Sequence, residues 1–207
     1  MSSILFVCFD FYFLGLTCMQ QVNYLGVVRT TKAFLDLLKR SGCHAGTVPR
    51  ILNIASMSGL VALPGASAYA ASKHAVVGFS KSIRVELAYS SVSVSAICPT
   101  FHRTPLLTGL QSKIDRIWEL AGADKRAEYG EEAHAELKKG ALDLYTGCGW
   151  DPRRVTEAIV RACLDPWAPP PVVRVGMDAK YVLGGECVCL CLRCVFVSSL
   201  MCVHVYG

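Results

Sequence analysis

Apolar residues recur every three or four positions between residues 19 and 41, MQQVNYLGVVRTTKAFLDLLKRS, with Val22, Leu25, Val28, Phe34, Leu35 and Leu38 on one stripe. That period predicts a long helix with one apolar face, and Gly42 stands where a C-cap belongs. RILNIAS (50–56) is a short apolar run with β-branched residues and predicts a buried strand. MSGLVALPGA (57–66) has the glycine and proline of a loop. Residues 67–89 read as a second long helix, and VSVSAIC (92–98) as a second strand ended by Pro99. Residues 105–146 are amphipathic and helical with several breaks. Asp151-Pro152 opens a helix over 152–164, and PVVRV (171–175) is a last short strand. Helix–strand–loop–helix–strand is the rhythm of a parallel α/β sheet.

The two ends depart from this pattern. Residues 3–18, SILFVCFDFYFLGLTC, are apolar but interrupted by Asp10, and they lack the basic region of a signal peptide. The stretch VCLCLRCVFVSSLMCVHVY (188–206) is long enough to span a bilayer, at the cost of placing Arg193 near its centre. Both ends suit association with a membrane surface. The domain expectation is therefore an apolar leader over 1–18, one folded domain over 19–183 and an apolar tail over 184–207.

Composition narrows the classes. The chain has 207 residues, 53% apolar and 18% charged, enough for one domain with a sizeable core. The net charge is +5, but Lys and Arg are scattered without a basic stripe, which argues against nucleic acid as a partner. Eleven cysteines, five in the last 21 residues, form no disulfide framework and indicate an intracellular setting. Cys191-x-x-Cys194 has metal-ligand spacing, yet its alternation with apolar residues reads equally as a strand.

The chemistry-bearing stretch is SAYAASKHAVVGFSKSIRVEL (67–87). Tyr69 and Lys73 fall one helical turn apart on one face, among small neighbours. A fixed ammonium stabilises a phenolate, so such a pair suits general acid–base work near neutrality. Thirteen residues before Tyr69, the strand ILNIAS ends at Ser56, with Gly59 three residues on. The carboxyl edge of a parallel sheet is where ligands bind. A serine there can hold a substrate oxygen while the tyrosine exchanges its proton.

NIASMSG followed by YAASK resembles the signature of the short-chain dehydrogenase/reductase family. The resemblance extends over about residues 19–183. It includes VNYLGVVRTTKAFLDLLKRS, with Asn23 at the family's helix asparagine, and CPTFHRTPLL, with Pro99 and Thr104 in the segment after the next strand. Thr100 stands where the family has glycine. IWELAGADKRAEYGEE and VTEAIVRACLDPWAPPPVVRVGMDAKYVL resemble the retinol and hydroxysteroid dehydrogenase branch.

The resemblance implies an α/β fold, a partial Rossmann-like parallel sheet with flanking helices. It corresponds to the C-terminal half of a doubly wound domain. It implies NAD or NADP as cofactor and an apolar alcohol or ketone, retinoid or steroid like, as substrate. Tyr69 would be the acid–base and Ser56 the holder of the reacting oxygen. Lys73 would assist Tyr69 and bind the nicotinamide ribose, and Asn23 would position a relay water. Pro99 and Thr104 would lie against the cofactor. Helices 19–41 and 67–89 would form a homo- or hetero-dimer interface, and the branch points to the endoplasmic-reticulum membrane.

The family's Gly-rich phosphate-binding turn is not recognisable before Asn23, since residues 1–18 contain one glycine. TGCGW (146–150) does not replace it, because it lacks a third glycine and a preceding strand. The expectation is a catalytic half with impaired activity. The alternative is a silent fragment that binds a partner, such as a full-length homologue.

Overall fold

The run RILNI buries alternate residues, and SVSAIC buries every one. Continuous burial is what a strand covered on both faces requires. In the computed structural model, which describes residues 17–41, 48–61, 66–105, 109–147 and 149–176, these runs are β1 (Arg50–Ile54) and β2 (Ser93–Pro99). With β3 (Val172–Val175) they form a parallel sheet in the order β1-β2-β3. Arg50 pairs with Ser93, and Ala96 with Val172. The leader before residue 17, Gly42, and the tail with Cys191 and Cys194 lie outside the described residues.

The described chain forms two compact units, one from residues up to 100 together with 153–176, the other from 101–152. In the first, three layers assemble. One sheet face carries α1 (Gly26–Ser41) and α2 (Ser67–Glu86). There Ile51, Val94, Ile83 and Leu87 pack together, as do Ala96, Val76 and Val77. The other face carries α5 (Arg153–Leu164), where Ile97, Ala162 and Val175 form the core. Arg50 ties the carboxyl end of α5 to the sheet, donating to the carbonyls of Ala162, Asp165 and Trp167. A cation there meets the negative end of the helix dipole.

The helix predicted over 19–41 is uneven. Gln21–Leu25 forms a π-helical turn, with the Gly26 N–H donating to the Gln21 carbonyl. The helix predicted to residue 89 stops at Glu86, and Ser91 turns the chain in the left-handed region (φ 55°) before β2. β2 takes in Pro99, whose nitrogen carries no hydrogen, where β1 has already ended.

In the second unit, α3 (Leu110–Leu120) and α4 (Ala123–Gly147) pair, with the break in α4 at Gly130 (φ 77°). The Trp118 and His134 rings stack at 5.0 Å. Asp115 accepts from both His134 and Lys138 at 2.9 Å. The ion pairs of 130–139 thus cross between helices. Among the described residues no helix is long and apolar enough to cross a membrane, and no cluster of three or more metal-ligating side chains occurs.

Candidate active site

β1 delivers the chain to the carboxyl edge of the sheet, where Ala55 still donates to the Ile97 carbonyl at 2.8 Å. Ser56 leaves in extended backbone and caps a single 3-10 turn, Met57–Gly59. Its Oγ accepts the Ser58 N–H at 3.1 Å, and its carbonyl accepts the Gly59 N–H at 2.9 Å. The turn is buried along its length.

The first half of α2 lies beside that turn. Lys73 Nζ sits 5.8 Å from the centroid of the Tyr69 ring and donates to the Ile54 carbonyl at 3.1 Å. That carbonyl belongs to the side of β1 turned away from β2, since Pro49 and Ala55, of opposite parity to Ile54 along the strand, bond β2. Burial pushes the Lys73 amine below the ordinary lysine range, against the opposing pull of Cys98. Cys98, fully buried in β2, is itself pushed up by burial. Tyr69 is half-buried, and its hydroxyl has no hydrogen-bond partner among the described residues.

Behind Tyr69 runs a polar chain. Asn23, in the π-helical turn, donates from Nδ2 to Ser72 Oγ at 3.1 Å. The fully buried Ser72 hydroxyl donates to the Tyr69 carbonyl at 2.7 Å. π-turns within helices recur at functional sites. Here the turn carries an amide that anchors the tyrosine's backbone. One layer deeper, Asn53 donates to Ser80 at 2.9 Å and ties β1 to the second half of α2.

The structure therefore gathers Ser56, Tyr69, Lys73 and Asn23 around the start of α2. Pro99 ends β2 at the same carboxyl edge. Thr104 lies in a bend of the second unit. Ser72 was legible in the sequence only as one small residue among several; its spacing of three from Tyr69 was the available signal. The close seat of Gly59 against α2 had no local signature beyond the glycine.

The sequence profile of the family described as short chain dehydrogenase matches residues 16–115. The matched span holds the Asn23 turn, Ser56 and the Tyr69–Lys73 pair. Over that span the chain is similar to the short-chain dehydrogenase family. It is 40% identical over 101 residues to a putative ketoacyl reductase of Streptomyces coelicolor, covering 49% of this chain and 38% of that protein. It is 34% identical over 164 residues to human retinol dehydrogenase 16, covering 77% of this chain and 48% of that protein. The longer match extends the likeness into the retinol dehydrogenase-like branch. A short-chain dehydrogenase from Streptomyces avermitilis shares the fold, with a TM-score of 0.56 at 22% identity over 84% of this chain and 57% of that one. An actinorhodin polyketide ketoreductase solved with NADPH gives 0.52 at 31% identity over 73% of this chain and 54% of that one. The chain spans about half the length of the retinol dehydrogenases it matches.

Proposed function

We propose that this chain carries the proton-handling half of an NAD(P)-dependent oxidoreduction of an apolar alcohol or ketone of the retinoid or steroid kind. The observation that carries the reading is a Tyr69 hydroxyl without a partner among the described residues, 5.8 Å (ring centroid) from a Lys73 amine that bonds one carbonyl there, at the carboxyl edge of a parallel sheet. Tyr69 exchanges a proton with the substrate oxygen, and Ser56 holds that oxygen through its hydroxyl hydrogen. Lys73 Nζ uses one of three donors on Ile54, which leaves two for hydroxyl acceptors such as those of a ribose. These residues fit the nicotinamide–ribose end of a coenzyme. A bound nicotinamide would supply the hydride chemistry. Pro99 and Thr104 belong to the same reading as cofactor contacts.

The test is turnover of retinol and of a hydroxysteroid with NAD and NADP, in wild type and Tyr69→Phe. Coenzyme-dependent oxidation lost at least about 100-fold in the variant supports the reading. Oxidation that persists in Tyr69→Phe overturns it.

A second reading, a silent fragment that binds a homologous chain, is favoured by a different observation. An apolar cavity of about 170 Å³ lies between α1 and α2, lined by Val28, Leu35, Phe79, Ile83 and Leu87 among others. Phe34 and Leu37 on α1 are more than half exposed. Co-purification with a full-length relative, abolished by Phe34→Glu with Leu37→Glu, tests it. The likeness to retinol dehydrogenases also motivates an endoplasmic-reticulum membrane location, which fractionation of the expressed chain checks.

A further inference from the structure

We infer that Gly59 is a positioning residue, whose missing side chain sets how closely the Ser56 turn approaches the backbone of α2 at Lys73. The inference rests on the reading of Ser56, Tyr69 and Lys73 as one site, and its test is independent of turnover. A Cβ at residue 59 would lie 2.6 Å from the Lys73 carbonyl oxygen, 2.8 Å from its carbon and 2.9 Å from Val77 Cγ2. Two of these three neighbours are helix backbone, and the helix cannot yield there without loosening its own hydrogen-bond ladder. The turn would yield instead.

The turn is stiffly coupled to Ser56. Gly59 N–H donates to the Ser56 carbonyl, Ser56 Oγ holds Ser58 N–H, and the Leu60 N–H donates to Met57. A displacement of residue 59 is therefore passed to Ser56 rather than absorbed in between. The same movement uncovers Lys73, whose amine reaches the Ile54 carbonyl two residues before Ser56. Gly78, on the same helix, is the natural contrast, because a Cβ there meets nothing within 4 Å.

The experiment is trace acetylation of the folded chain across a pH series, read at Lys73 by peptide mass spectrometry, for wild type, Gly59→Ala and Gly78→Ala. In wild type the Lys73 amine should titrate below a lysine in a short peptide. Gly59→Ala should move it back toward the peptide value, while Gly78→Ala leaves it in place. Adding Val77→Ala to Gly59→Ala should not restore it, because the backbone clash remains. An unmoved Lys73 titration in folded Gly59→Ala, or full restoration by Val77→Ala, overturns the inference. Should Gly59→Ala fail to fold, the wild-type protein still decides. Nuclear Overhauser contacts between the Gly59 α-protons and the Val77 methyls are required, and their absence contradicts the inference. NADH titration of the same wild-type sample separates the two readings. Failure to bind coenzyme counts against the proposed function and leaves the Gly59 result standing.

Discussion

The two halves of α2 are built from similar residues and use them differently. In the second half the two inward-reaching polar side chains, Ser80 and Arg84, are spent on the fold. Ser80 is buried, accepts from Asn53 and donates to the Val76 carbonyl. Arg84 reaches the Val94 carbonyl and the hydroxyls of Ser93 and Ser95. In the first half the backbone is anchored through Ser72 and Asn23, but among the described residues the Tyr69 tip is not spent and the Lys73 tip makes one bond. The Tyr69 hydroxyl has no partner among the described residues, and Lys73 is half-buried against one carbonyl. A helix can thus be rigid where it is held and reactive where it is not, and the difference is the fate of its side-chain tips.

Substitutions break that comparison in order of size. Ile83→Ala, in the half devoted to the core, should cost about 2–5 kcal/mol in denaturant unfolding through lost burial and a cavity. Ser80→Ala should cost about 1–3 kcal/mol, because it strands the Asn53 amide in the interior. Lys73→Met should cost almost nothing at neutral pH and can stabilise. Burial lowers the folded lysine's pKa, so the folded state binds fewer protons than the unfolded one, and stability rises with pH through that window. Wild type should therefore gain on Lys73→Met as pH climbs from the lowered value toward the ordinary lysine range. A constant gap across that range would contradict the buried-cation account.

The smallest effect belongs to the second unit. A hydrogen bond from Lys138 is the largest cause holding the Asp115 carboxyl below the usual carboxylate range, with His134 adding to it. Its folded pKa is depressed, so its contribution is complete above the ordinary carboxylate value. That contribution is lost as pH falls through the lowered one. Asp115→Asn should flatten this acid limb by removing the contribution at neutral pH, a small loss because the pair faces solvent, and should change least in acid, where wild type has already lost it. The Trp118 fluorescence, reporting on the stacked His134, is the readout.

Much of this arrangement was legible from the chain. Continuous apolar runs at 50–56 and 92–98 located both long strands within two residues; only β2 is buried along its length, while β1 alternates. The Tyr69–Lys73 spacing and the strand-end Ser56 were legible because helical and sheet periodicities dictate which residues share a face. What was not legible depends on contacts between distant segments. The bond from Asn23 to Ser72 and the seat of Gly59 on Lys73 join segments 49 and 14 residues apart. Nothing local distinguishes Ser72 from its neighbours until the helix bearing Asn23 is laid across it. The stacking of His134 on Trp118 was missed for the same reason, since its own helix reads as charged and solvated.

The central claim is that the tips of Tyr69 and Lys73 meet a nicotinamide coenzyme. Titrating the purified chain with NADH and with NADPH, followed by nicotinamide fluorescence, addresses it directly. The account predicts saturable binding that Lys73→Ala weakens at least about tenfold, the loss of roughly 1.4 kcal/mol expected for a charge-assisted hydrogen bond. No binding at millimolar coenzyme by a folded chain, or binding indifferent to Lys73→Ala, would contradict it.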